Sequence, residues 1–233
     1  MSKVIIVNQD EEPNNPFSLS IGDLMAALLL IFVLLLSSTL LRLEEEFESV
    51  TKIADRYVAI KKDLYQELIE EFQDDLVKWN AELDSNDLLI RFSGPKVEFD
   101  FGSSVVKPEF KNILENFFPR YVDIISDEKF KDNIEEIRIE GHTDNISDYY
   151  TNMRYSQDRT RSVLKFVLEE TEINNHDKKW LQFNLTANGL SYSKPISDNN
   201  TELGRNLNRR VEFRVRTNAE KQIDEILSSS LNE

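Results

Sequence analysis

The spacing of hydrophobic positions changes twice along this chain. Residues 19–41 are apolar all the way round a helix, broken only by Ser, Thr, Gly and one charged side chain, Asp23. About twenty apolar residues suffice to cross a hydrocarbon core, so the pattern predicts one membrane-spanning helix over 17–43. After Glu44 the run becomes amphipathic. Phe47, Val50, Ala54, Tyr57, Leu64 and Leu68 recur at three and four residues, and Phe72, Leu76 and Trp79 continue with a one-residue shift. This predicts a helical connector over 44–85, either a coiled coil with a second copy or a single helix packed on the domain C-terminal to it. Lys61 at a core-type position suits the coiled coil poorly. Beyond Ser85, short alternating segments at 87–92, 97–101, 134–140, 181–190 and 210–216 read as strands. Helical patterns cover 107–125 and 152–168, the first with Pro108 in its opening turn and Pro119 bending it. A short terminal helix is expected over 219–227. The expected class is α/β, with two helices on one mixed sheet over 86–217. A flexible segment 1–16, the span and the connector precede this domain, and a tail 218–233 ends the chain.

Charge narrows the partners. The 233 residues hold 28 basic and 43 acidic side chains, a net charge of −15. Direct binding of nucleic acid is not expected, because phosphate binding needs a basic surface. No Cys is present, which excludes disulfides and thiolate chemistry, and two His leave little for a transition metal. The apolar run does not read as a cleaved signal peptide: it is too long, no small-x-small site comes after it, and Asp10, Glu11 and Glu12 precede it. Lys3 is the only base before the span, whereas Arg42, Lys52 and Arg56 lie beyond it. Counting bases therefore leans toward a cytoplasmic C-terminus.

The carboxylate at position 23 is the chemical feature of the span. An ionised Asp in hydrocarbon costs roughly 3 kcal/mol or more, so such residues face partners or ion paths. On a helix Asp23 shares a face with Ala26, Ala27, Leu30 and Leu34. Gly22 and Ala26 form a small-x-x-x-small pair that lets a neighbouring helix approach. The plainer alternative is an anchor whose Asp, about one turn inside, reaches the headgroups. Ser18 or Ser20 is positioned to cap this helix.

Three polar clusters mark the domain. Ile139-Glu140-Gly141-His142-Thr143-Asp144 is a strand ending in a turn. Asn152, Ser156 and Arg159 share the start of a helix. Gly204-Arg205-Asn206-Leu207-Asn208-Arg209-Arg210-Val211-Glu212-Phe213 is a polar turn entering a strand. In this order and spacing they resemble the OmpA/MotB-type peptidoglycan-binding domain over roughly 86–217, with Val97 to Phe101 and Lys107-Pro108-Glu109 similar to its opening strand and helix. The resemblance implies that Asp144 and Arg159 hold diaminopimelate of the stem peptide, the Asp meeting its ammonium and the Arg its carboxylate. It also implies that Thr143 and Asn152 line the pocket and that Arg205 and Arg210 belong to the closing motif, in a binding or a structural role. The bland alternative for Asp144 and Arg159 is a mutual surface salt bridge. His142 is not expected to act chemically, since the family accepts Tyr there. No nucleophile elbow supports a Ser/His/Asp hydrolase, and no enzyme activity is expected.

The N-terminal segment resembles the same superfamily. Pro16-Phe17 followed by Asp23-Leu24-Met25-Ala26-Ala27 is similar to the ion-carrying helix of stator B subunits. The short connector is closer to the B subunits of Zorya anti-phage systems than to flagellar ones, and the acidic segment before the span departs from the flagellar pattern. The resemblance implies a homodimer inside a pentameric ring of MotA-like multi-span A subunits. Asp23 would bind the translocated ion, a proton in preference to sodium, with no other cofactor. It also implies a single pass of the bacterial inner membrane, with the N-terminus cytoplasmic and the domain periplasmic, against the lean of the charge count. The alternatives are a flagellar or other stator subunit, a passive OmpA-like envelope tether and an envelope signalling subunit.

Overall fold

The apolar run and the amphipathic stretch after it form one helix. In the computed structural model, which describes residues 16–219 and 221, α1 runs unbroken over Pro16–Trp79, 64 residues, or roughly 96 Å at the usual rise. Pro16 opens it, a position where a missing N–H costs nothing. Ser18 and Ser20 therefore lie inside the helix instead of capping it from outside. The segment 1–15 and most of the terminal helix expected over 219–227 lie outside the described residues. Every residue from 21 to 45 is exposed, and α1 is long and apolar enough at this end to cross a membrane.

At its other end α1 belongs to the domain. Leu64, Leu68, Phe72, Leu76 and Trp79 are buried and join a single hydrophobic cluster. The Phe72 ring lies 5.3 Å from Phe117, and Trp79 lies 6.3 Å from Phe92. Arg120 grips the same stretch, bonding Glu71 Oε1 at 2.5 Å and Asp75 Oδ2 at 2.9 Å. Lys61 donates to the carbonyl of Asn86, which accounts for a base among apolar positions. Of the two readings of the connector, packing on the domain therefore holds from Leu64 onward. The domain's core reaches back across the expected boundary at residue 86. Phe47 remains 74% exposed, and no described residue of the chain covers it.

Asn80, at φ 53°, turns the chain out of α1 into β1 (Ala81–Asp84), which pairs with β2 (Leu89–Ser93). The remaining strands are β3 (Ile134–Gly141), β4 (Leu185–Gly189) and β5 (Arg210–Thr217). The sheet order is β1-β2-β5-β3-β4. Only β3 and β4 pair in parallel, so the sheet is mixed, as expected. The two long helices, α2 (Pro108–Ile125) and α4 (Tyr149–Glu169), also fall where the pattern put them. Val211, Phe213 and Val215 alternate into the core, and the intervening Arg210, Glu212 and Arg214 take the other face.

Five local readings change. Residues 81–84, expected to be helical, form β1, because the chain leaves α1 at Asn80 and pairs with β2. Residues 97–101 are not a strand. The amides of Val97 and Glu98 both bond back to the Gly94 carbonyl, and Gly94 has φ 83°, so turn bonds occupy the groups a ladder would need. Residues 181–184 are helical, because Asn174 caps α5 (Asn175–Asn184) through the Asp177 amide. The 204–208 segment forms most of a short helix, α6 (Glu202–Asn208), capped by Thr201. A further turn of helix, α3 (Glu128–Lys131), comes after α2.

Candidate functional site

The site forms where strand ends meet the first turns of α4. Gly141 ends β3 and pairs in register with Gly189 on β4. A Cβ at Gly141 would stand 2.6 Å from Thr160 Cγ2, and one at Gly189 would meet the backbone of Gln157. These two bare positions let α4 lie close against the strands. That contact sets Asn152, Ser156 and Arg159 beside the loop after β3. Ser156 Oγ accepts the Ser191 amide at 3.0 Å, the Thr143 amide bonds the Ser191 carbonyl at 3.0 Å, and Asp148 caps α4 through the Thr151 amide.

A pocket of about 230 Å³ opens there, lined among others by Glu98, Phe99, Thr143, Asp144, Asn152, Tyr155, Arg159 and Arg209. Asp144 is only 8% exposed. Its Oδ1 accepts the Ile146 amide at 3.1 Å and its Oδ2 accepts Arg209 Nη1 at 2.6 Å. Each carboxylate oxygen has two acceptor sites, so the group keeps capacity for a ligand cation. Arg159 is fixed by bonds from Nε to the Ser103 carbonyl (3.0 Å) and from Nη2 to the Asp100 carbonyl (3.3 Å), and its guanidinium lies over the rings of Phe99 and Tyr155. Burial lowers its pKa, with Asp144 acting in the opposite sense. Asn152 Nδ2 donates to the carbonyls of Asp144 and Ser147, and Thr143 Oγ1 donates to the Asp144 carbonyl. Both residues shape the loop that presents Asp144.

The structure thus gathers four of the six residues expected to bind the wall: Asp144, Arg159, Thr143 and Asn152. The other two do not line this pocket, although Arg210 lines a small adjoining cavity with Arg159 and Arg209. Arg205 bonds the Asn199 carbonyl at 3.0 Å and holds a surface loop. Arg210 is buried, bonds Glu212 Oε1 at 2.7 Å, and also reaches the Asn208 and Lys194 carbonyls. Arg209 fills the place in the pocket. It bonds Asp144, Glu98 Oε1 at 2.9 Å, and Asn206. Burial alone would lower its pKa, but these carboxylates outweigh burial and raise it. The signal was the Arg209-Arg210 pair itself. Consecutive residues entering a strand point opposite ways, so the two cannot occupy equivalent places in the site.

Behind the pocket, His142, Glu140 and Glu212 place their ligand-type atoms within 4.8 Å of one another, all buried. The spacing would suit a metal, but the donor set does not, because guanidiniums already hold both carboxylates. Glu212 takes bonds from Arg91 and Arg210, and Glu140 takes one from Arg214. Burial raises the Glu212 pKa, and His142 and Arg210 more than offset it, leaving the carboxyl well below the usual range. His142 Nε2 is 3.5 Å from Glu212, and neither ring nitrogen has a hydrogen-bond partner among the described residues. Burial holds this imidazole below its ordinary pKa, with Arg210 acting in the same sense and Glu212 only partly opposing.

About 40 residues before the core, Asp23 stands exposed on α1, and nothing lies within 4 Å of a Cβ placed at Gly22. A membrane-length helix, continuous with a mixed-sheet domain whose pocket carries an Asp and two Arg, defines the class of helix-anchored OmpA-like proteins. Residues 98–209 match the OmpA family. The chain is 37% identical over 226 residues to the Zorya protein ZorB of an Escherichia coli strain (Crooks), covering 93% of this chain and 94% of that protein. It is 25% identical over 218 residues to ZorB of a second Escherichia coli strain (E24377A), covering 89% and 82%. In fold it is similar to a MotB-like protein from Desulfovibrio vulgaris, with a TM-score of 0.51 and 23% identity over 70% of this chain and 94% of that one. The chain belongs to the ZorB family, with an OmpA-family domain over residues 98–209.

Proposed function

We propose that this chain is the peptidoglycan-anchored B subunit of an ion-driven inner-membrane motor of the Zorya anti-phage type. The observation that carries the wall-binding half is the charge balance of the pocket. Glu98 and Asp144 face Arg159 and Arg209 across about 230 Å³, so the lining is neutral yet strongly dipolar. Such a site suits a zwitterionic ligand end, whose ammonium meets Asp144 and whose carboxylate meets Arg159. Diaminopimelate in the stem peptide has that chemistry. Peptidoglycan lies outside the inner membrane, which favours a periplasmic domain and a cytoplasmic N-terminus.

The motor half rests on Asp23. A passive tether has no use for a carboxylate there, whereas an ion carrier needs one. In the proposed cycle Asp23 takes up and releases a proton, and the change of charge alters which contacts with surrounding MotA-like A subunits are favourable. Two copies of this chain form the central axis of the A-subunit ring, and the wall grip keeps that axis from turning.

Sedimentation tests the wall reading. The full-length protein in detergent should pellet with purified sacculi, and Asp144→Ala, Arg159→Ala and Arg209→Ala should each stay in the supernatant while keeping native circular dichroism. Loss of one partner leaves a ligand charge unpaired, which costs a few kcal/mol in a partly desolvated site. Pelleting of all three variants like the parent would place the wall site elsewhere.

A further inference from the structure

Close in sequence to residues of the pocket stands a group of three aromatic rings with no part in the fold's core. Tyr150 meets Tyr149 at 5.8 Å between centroids, and Tyr149 meets Tyr192 at 5.9 Å, both edge-to-face at 77° and 80°. Tyr150 is 83% exposed and Tyr149 45%. Beyond α1, the exposed aromatic side chains among the described residues are these two, Phe101 and Phe183. Of these four, Phe101 lines the pocket, and Tyr149 and Tyr150 lie in sequence between Ser147 and Asn152, which also line it. Tyr192 is next in sequence to Ser191, whose carbonyl holds the Thr143 amide. A soluble domain gains nothing by displaying such rings to water, and grouped exposure of this kind marks a contact surface.

We propose that Tyr149, Tyr150 and Tyr192 form a platform for the sugar rings of a peptidoglycan glycan strand. This rests on the wall-binding reading of the adjacent pocket and names the part of the polymer that the pocket does not take. Two features favour sugar over a protein partner. Each tyrosine offers an apolar ring face for the C–H face of a pyranose and a hydroxyl for its polar rim, the amphipathic match such rings provide. Second, Tyr149 and Tyr150 fall between Ser147 and Asn152, which line the site proposed for the peptide branching from that glycan. Ile146, 68% exposed and lining the pocket, lies between Asp144 and Tyr149 in sequence and offers an apolar surface to the methyl groups at that branch.

The rings are held by their mutual contacts and not by burial, so removing two of them leaves the core intact. The test uses the full-length protein in detergent and three probes: a free diaminopimelate-containing tetrapeptide, a tetrasaccharide carrying that peptide, and peptide-free glycan chains. The double variant Tyr149→Ala/Tyr150→Ala should bind the free tetrapeptide like the parent. It should bind the glycan-linked peptide roughly ten- to hundredfold more weakly, about three- to tenfold for each lost aromatic contact. Tyr149→Phe/Tyr150→Phe keeps the ring faces and should stay within a few-fold of the parent. Asp144→Asn should lose both peptide probes while retaining weak binding of peptide-free glycan. Parental affinity of the Ala pair for the glycan-linked peptide would overturn the platform and leave the wall-binding reading standing. Failure of the parent to bind any probe would overturn both.

Discussion

Removing the last four turns of α1 should unfold the domain, although every residue matching the OmpA family lies beyond them. A chain starting at residue 86 lacks Leu64, Leu68, Phe72, Leu76 and Trp79, which are 0 to 9% exposed in the intact protein. Burying a large apolar side chain contributes about 1.5–3 kcal/mol, so the five together contribute about 7–15 kcal/mol. Domains of this size have a net stability of about 5–15 kcal/mol, so the deletion removes an amount comparable to the whole. It also strips one face from Phe92 and Phe117 and leaves β2 as the sheet edge, without the β1 partner that begins at Ala81. Chains spanning 60–219 and 86–219 should therefore differ in kind. The longer should unfold cooperatively in urea, and the shorter should show no cooperative transition and bind a hydrophobic dye. A cooperative transition in the shorter chain, within about 1 kcal/mol of the longer, would refute the assignment of α1 to the core.

The remaining expectations concern the membrane, the dimer and acid. Asp23→Asn keeps size and hydrogen bonding but removes the charge cycle. It should abolish phage protection and ion flux while leaving co-purification with the A subunit unchanged, and undiminished protection would favour a passive tether. Single Cys residues at Val50 or Ala54 should give disulfide-linked dimers in membranes, with Lys52→Cys much less efficient; equal yields at all three would mean that α1 does not pair there. Stability should fall as pH drops below about 6.5, the ordinary His value. The fold disfavours the charged form of His142, so the unfolded chain takes up that proton first, with a slope of at most about 1.4 kcal/mol per pH unit for one proton. Glu212, depressed in the fold, adds a second loss below its ordinary value near 4.5. His142→Phe should flatten the first step alone, which urea midpoints at pH 7.5, 6.5 and 5.5 would show.

Most of the architecture was legible because it arises from periodicity. The mixed sheet, α2 and α4 each carry an unbroken pattern, and the turn after β3 carries its own glycine and polar residues. What the pattern did not reveal is what covers a stripe. Phe47 and Leu68 look alike at three-and-four spacing, yet one is bare and the other is sealed beneath α2 and the sheet. Residues 97–101 misled for a related reason. Val97 is buried and Phe99 lies under Arg159, so apolar positions alternate although the backbone bonds of a strand are absent. In the pocket, Asp144, Thr143, Asn152 and Arg159 came from motif spacing. Arg209 did not, because its selection over Arg210 depends on which of two consecutive residues turns inward.

The continuity of α1 bears on how the two ends act together. No Gly or Pro occurs between Asp23 and Trp79, and sharp kinks in helices arise almost always at such residues or at inserted groups. The last third of the helix is clamped by the core and by Arg120, Lys61 and Lys129, the last bonding Glu67. The carboxylate at position 23 and the helical segment clamped to the domain therefore lie on one continuous helix. In the proposed motor this matters more than affinity. A flexible linker would let the central pair turn with the ring and dissipate each step, whereas a helix rooted in the wall-bound domain resists that torque along its whole length. The compliance that remains lies in the stretch from 46 to 60, whose apolar residues are only partly covered within one chain. Pairing with a second copy there would stiffen a segment that the domain covers only in part.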